Sequence, residues 1–153
     1  MKLTVEGIKN QEAWKKAGIA LPGYDVEKVS QKAKEEPGWV HFGIGNIFRV
    51  FIGGIAEGLL EEGVLDRGIT CVETFDYDVV DKIYDPYDNL GLSVILHGDG
   101  TREYKVLGSL AEAVKAQSIR SGTVEPHERD LYKQVSSDGI IHNYRKRICT
   151  AES

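Results

Sequence analysis

The stretch His41-Phe42-Gly43-Ile44-Gly45-Asn46-Ile47-Phe48-Arg49 decides how this chain is read. It begins inside Trp39-Val40-His41-Phe42, a run of aromatic and β-branched residues that suits a strand. It opens a segment in which Phe48, Phe51, Ile52, Ile55, Ala56 and Leu59 recur at helical spacing, so they form the expected buried stripe. A strand, then G-x-G, then a helix is the arrangement that seats a diphosphate in a doubly wound α/β fold. Gly43 would permit the tight turn. Gly45 would let the backbone approach the phosphates with no Cβ in the way. The N–H groups of the first helical turn would face the anion. Phe48 stands where the third glycine of G-x-G-x-x-G belongs. On spacing alone, a plain glycine-rich turn therefore remains open.

Downstream, Gly63 is a stop signal for that helix. Gly53-Gly54 inside it would cost about 1 kcal/mol each against Ala, which is bearable if the helix packs closely on a sheet. Ile69–Glu73 reads as a second strand, and residues 76–84 as a second helix with Asp76 as cap and Val79, Val80 and Ile83 as apolar face. Residues 92–97 and 104–107 flank Gly98-Asp99-Gly100 and predict a hairpin. Ser109 is expected to cap a helix over 110–117, and a last helix over 125–135 follows. Upstream, residues 17–24 (AGIALPGY) read as an arm or loop, Asp25 caps a short helix, and Pro37-Gly38 breaks it.

This alternation predicts an α/β fold: a Rossmann-type, mainly parallel sheet, doubly wound, with an antiparallel hairpin added to it. The expected division is an N-terminal arm over 1–36, a dinucleotide-binding domain over 37–135 and an atypical tail over 136–153.

A ribose-binding acid is expected at the end of the second strand, about 20 residues past the glycines. Glu73 and Asp76 are the candidates, delayed by a long first helix and the loop at residues 63–68. An acid there accepts from ribose hydroxyls and repels a 2′-phosphate, which favours NAD over NADP. Equally, Asp76 is a helix cap and Glu73 a surface residue.

The 153 residues carry a net charge of -5, which argues against a phosphate-backbone partner. No segment approaches the ~20 apolar residues of a bilayer span, and the start is too polar for a signal peptide. Cys71 and Cys149 make no framework or metal pair, so the cytoplasm is the expected compartment. His41, His97, His127 and His142 have no ligand spacing, and no metal is expected. No nucleophile motif occurs, and residues 85–89 (DPYDN) are turn chemistry.

At Phe42-Gly43-x-Gly45-Asn46-x-x-Arg49 the sequence resembles the mannitol dehydrogenase family, the polyol-specific long-chain dehydrogenases. Ile47 and Phe48 replace the family's common Phe-His, while Asn46 and Arg49 match. The lead-in AGIALPGYD, Val72-Glu73 with the following helix, and Val106-Leu107-Gly108-Ser109-Leu110 are also similar, so the resemblance spans about residues 17–120. It implies hydride transfer between NAD and a polyol or hexuronate. Gly43, Ile44, Gly45, Asn46 and Arg49 would line the pyrophosphate, and Glu73 or Asp76 the ribose. Arg49 could equally be a solvated helix residue.

The family's general acid/base is a lysine in a second, helical domain, within K-x-x-x-x-N-x-x-H. That pattern is absent here, so the resemblance carries over no catalytic residue and the fragment alone is expected to be inactive. A complete, non-catalytic nucleotide-binding or regulatory module is the alternative, and an unrelated α/β interaction domain a third.

After about Val135 the resemblance stops. Where the family has a buried strand and T-x-T-E-K-G-Y, this chain has residues 137–150 (SDGIIHNYRKRICT). One permissible set of codons for that stretch, read one base later, gives A-M-A-S-F-T-I-T-E-K-G-Y-A. The expectation is a frame change upstream of Ser137 in the encoding DNA. Arg145, Lys146 and Arg147 cannot cheaply replace a buried strand. A polar, irregular or helical tail is expected, with an incompletely covered sheet. Self-association through the exposed face where a second domain would dock is expected with it.

Overall fold

The computed structural model describes residues 1–116 and the backbone of residues 140–142. Two short helices, α1 (Val5–Ile8) and α2 (Gln11–Lys16), lead to β1 (Ile19–Ala20) and then α3 (Val26–Glu35). Asp25 caps α3 by accepting from the Lys28 N–H at 3.0 Å. Next come β2 (Trp39–Phe42), a π-helical turn (Phe48–Ile52) that continues as α4 (Gly53–Glu61), and β3 (Ile69–Glu73). A second π-helical turn (Val80–Tyr84) follows, then β4 (Gly91–Leu96), β5 (Arg102–Leu107), β6 (Leu110–Lys115) and β7 (Ile140–His142).

The strands form two sheets, ordered β6-β3-β2-β7 and β1-β5-β4. Every pairing in the first is parallel. β2 is thus flanked by β3 on one side and by β7, from far along the chain, on the other. That makes the carboxyl end of β2 a topological switch point, where open α/β sheets leave a crevice for ligands. The hairpin is present, closed through Gly100 at φ 84° and by the His97 N–H on the Thr101 carbonyl at 3.0 Å. It belongs to the second sheet and not, as expected, to the parallel one. There β5 also pairs with β1, so residues 17–24 include a strand.

Three further expectations change. Residues 110–115 form a strand, not a Ser109-capped helix. Leu, Ala and Glu are good helix formers, but pairing with β3 buries Leu110, Ala111, Glu112 and Val114, and tertiary burial overrides propensity. Ser109 instead donates its hydroxyl to the Gly53 carbonyl at 2.8 Å.

The buried stripe of the long helix is also displaced. Phe51 and Ile55 are exposed, whereas Phe48, Gly53, Ala56, Glu57 and Leu60 are buried. The π-helical turn explains this. The Gly53 N–H bonds the Phe48 carbonyl five residues back, so one extra residue enters the turn and rotates everything after it. Gly53 then packs against β6: a Cβ there would lie 3.4 Å from Leu110 Cδ2. Gly54 faces open space.

Finally, residues 140–142 of the tail are a strand, in register with Trp39, Val40 and His41. The β-branched Ile140-Ile141 pair suits that place, and it precedes the basic run. The helix expected over 125–135, the frame-change segment outside 140–142, His127 and Cys149 lie outside the described residues. Among the described residues no helix is long and apolar enough to cross a membrane.

The core has three parts. Ile44, Phe48, Ala56, Ile69, Cys71, Val80, Tyr84 and Leu110 pack between helix and parallel sheet. Val40, Phe42, Val72 and Val114 are buried together with Ala116. Trp14, Val26, Leu90 and Val106 join the N-terminal helices to the hairpin.

Candidate functional site

All the expected site residues lie at the carboxyl edge of the parallel sheet. Gly43 ends β2 at φ 85°, a left-handed conformation that favours glycine. Its N–H donates to the Val72 carbonyl at 3.0 Å, which ties this turn to the end of β3. Ile44 is fully buried in the core, so only its backbone belongs to the site. Gly45 is exposed, and a Cβ built on it would meet nothing within 4 Å. The Gly45 carbonyl accepts from the Arg49 N–H at 3.1 Å, the first bond of the helix. The N–H groups of that first turn have no acceptor within the helix itself. Helix-start N–H groups beside a glycine with open space around it are the kind of environment that suits a diphosphate.

Asn46 and Arg49 lie one turn apart, and Asn46 Oδ1 accepts from Arg49 Nη2. The Arg49 guanidinium also lies over the Tyr84 ring, 5.7 Å from its centroid. These two contacts hold a cation beside the turn. The place of the third glycine is filled by Phe48, buried and stacked on His41 with ring centroids 4.2 Å apart.

Glu73, at the end of β3, is 6% exposed, and its Oε1 accepts from the N–H groups of Thr74, Phe75 and Asp76 at 2.8, 2.9 and 3.3 Å. One carboxylate oxygen therefore shapes the loop after the strand. Asp76 is exposed on that loop. Its expected role as side-chain cap is not the bond present: its carbonyl, not its carboxylate, accepts from Val79 N–H at 3.1 Å. Phe75 on that loop, and Ile47 and Phe51 at the helix start, are 91%, 81% and 64% exposed.

Sequence reasoning missed Tyr84, which served there only as a helix end. Its hydroxyl donates to the Ile44 carbonyl at 2.9 Å, from a side chain 1% exposed. Burial raises its phenol above the ordinary tyrosine value, so it stays a donor at any physiological pH. The signal available in the sequence was only that a tyrosine on a buried helix face needs a partner for its hydroxyl.

No protein-family model matches the chain. D-mannonate oxidoreductase from Thermotoga maritima is 48% identical over 115 residues, covering 75% of this chain and 21% of that protein. The chain thus spans about a fifth of the length of this relative. A substrate-free D-sorbitol dehydrogenase crystal structure has a TM-score of 0.55 at 26% identity, over 72% of this chain and 23% of that one. Pseudomonas fluorescens mannitol 2-dehydrogenase, in a ternary complex with NAD and D-mannitol, has a TM-score of 0.58 over 83% of this chain and 25% of its own. At 22% identity it supports the fold alone. A Rossmann-type sheet, the turn at its switch point and the extended identity to D-mannonate oxidoreductase together place this chain in the mannitol dehydrogenase family.

Proposed function

We propose that the chain is the nucleotide-binding portion of an oxidoreductase that works between NAD and a polyol or hexuronate. In this reading Gly43, Ile44, Gly45 and Asn46 supply backbone contacts to the diphosphate, and Arg49 supplies charge. Glu73 and Asp76 serve the ribose, Glu73 by holding the loop and Asp76 from its exposed position. The observation that carries the proposal is the open approach to Gly45 at the switch point, beside a helix start. NAD would supply the hydride-accepting ring. In this reading these residues bind and orient it.

The nucleotide-binding unit would be residues 37–135, preceded by an arm over 1–36 and followed by an atypical tail over 136–153. Exposed apolar side chains such as Ile47, Phe51 and Phe75 would be covered in the assembled enzyme, and in this chain alone they favour self-association. A cytoplasmic setting belongs to the same proposal.

Isothermal titration of the 153-residue chain with NAD and NADP tests it. NAD should bind, and NADP should bind about tenfold more weakly, because the exposed Asp76 carboxylate, on the loop that Glu73 holds, repels its 2′-phosphate. Absence of binding heat with both nucleotides overturns the proposal. Tighter NADP binding overturns the role of the two acids.

A further inference from the structure

We infer that Tyr84 is the positioning residue of the phosphate turn: its hydroxyl fixes which way the peptide between Ile44 and Gly45 faces. The inference rests on the nucleotide reading above and adds a residue to it.

In a trans peptide the C=O of one residue and the N–H of the next point in opposite directions. No cis peptide occurs in the described residues. The Ile44 carbonyl is held inward by the Tyr84 hydroxyl at 2.9 Å, in the same core cluster that buries both residues. The N–H of Gly45 must then face away from that core, and Gly45 itself is exposed.

This orientation is not fixed by the turn itself. A peptide flip changes ψ of the residue before it and φ of the residue after it, and glycine tolerates either sign of φ. With Gly45 following, the plane could turn over and present a carbonyl oxygen to the diphosphate instead of a donor. Gly43, at φ 85°, is anchored on β3 through its N–H, and the Gly45 carbonyl is anchored in the helix. The peptide between those anchors depends on Tyr84. The same glycine that opens the site therefore creates the need for the tyrosine. The ring has a second use, since it lies under the Arg49 guanidinium. The position of Tyr84 at the end of a π-helical turn allows one side chain to reach both.

Tyr84→Phe deletes one oxygen and keeps the ring under the Arg49 guanidinium, so the hydroxyl is removed while the ring contact remains. Two readouts apply to the full 153-residue chain. The first is the nuclear Overhauser contact between the Ile44 Hα and the Gly45 N–H, which needs no ligand and reports ψ of Ile44, hence the way this peptide faces. Its intensity should change at least about twofold in Tyr84→Phe, as the plane samples both faces, with far-UV circular dichroism unchanged. The second is binding of ADP against adenosine. ADP should weaken about tenfold, and adenosine, which lacks the phosphates, should be unaffected. A general loss of packing would weaken both.

An unchanged Ile44–Gly45 contact in a folded Tyr84→Phe chain overturns the inference, whatever the nucleotides do. Wild-type chain that binds no ADP, with that contact still altered by Tyr84→Phe, sinks the nucleotide reading and leaves the positioning role standing. If Tyr84→Phe fails to fold, chain labelled throughout with 3-fluorotyrosine provides a stronger donor at the same place. A shifted Gly45 amide nitrogen resonance, which responds to the bond on the preceding carbonyl, then supports the inference, and an unmoved one refutes it.

Discussion

Two glycine turns lie near opposite ends of one long helix, and they have opposite fates. At the start, Gly45 projects into open space beside a helix whose first N–H groups lack helical acceptors. Near the end, the Gly108 N–H is already answered by an anion of the protein's own, the Glu57 carboxylate at 2.9 Å. Tyr24 donates to the same oxygen at 2.7 Å. A Cβ on Gly108 would lie 2.8 Å from Val26 Cγ2. The neighbouring Gly68 is tighter still, with the Ser109 carbonyl oxygen 2.6 Å from a built Cβ. A glycine turn filled by protein is a packing seam. A glycine turn whose surroundings are empty is a place for something else.

The sharpest way to break this contrast is at the seam. Gly68→Ala should destabilise the fold by about 3 kcal/mol, because backbone must move to admit the methyl. A thermal melt within a degree or two of wild type would contradict it. Glu57→Ala should cost about 2 kcal/mol, since it strands the Gly108 N–H and the Tyr24 hydroxyl in the interior. Urea unfolding reads that loss, and an unchanged midpoint would show that the carboxylate is not the anchor.

Glu57→Gln sharpens the point through pH. Burial raises the Glu57 carboxyl above its ordinary value of 4.5, against the lowering effects of Tyr24, Gly108 and Lys105. A raised folded-state value means that the folded chain holds the proton more tightly than the unfolded one. That contribution is full below the ordinary value and is lost as pH rises through the raised one. The stability of Glu57→Gln relative to wild type should therefore climb as pH increases from 4.5. A difference that stays flat with pH would remove burial as the cause.

The smallest effect on stability is expected at the open turn. Gly45→Ala should change the melting midpoint by the equivalent of about 0.5 kcal/mol or less, since its methyl meets nothing. NAD binding should nevertheless fall at least about tenfold, because the methyl occupies the phosphate approach. Stability and binding should thus separate at Gly45 and stay coupled at Gly68.

Much of this was legible in the sequence, and the misses have physical causes. The strand-glycine-helix signal at 39–49 reads out correctly because turn chemistry is local: Gly43 needs its positive φ whatever surrounds it. The Asp25 cap and the hairpin at 98–100 are local in the same way. Residues 110–115 were misread because their helix propensity is local while their pairing with Ile69–Glu73 is not. The exposed Phe51 and Ile55 were expected inside because a 3.6-residue period cannot anticipate one extra residue in a π-helical turn. Tyr84 was missed because its partner, a backbone carbonyl 40 residues away, carries no side-chain signature.

The most direct test of the central claim is an amide-resolved nuclear magnetic resonance titration of the 153-residue chain with ADP. The largest shifts should fall on Gly45, Asn46, Ile47 and Phe48, with Gly108 and Gly68 unmoved. Shifts scattered over the surface, or centred on the 108–109 turn, would contradict it.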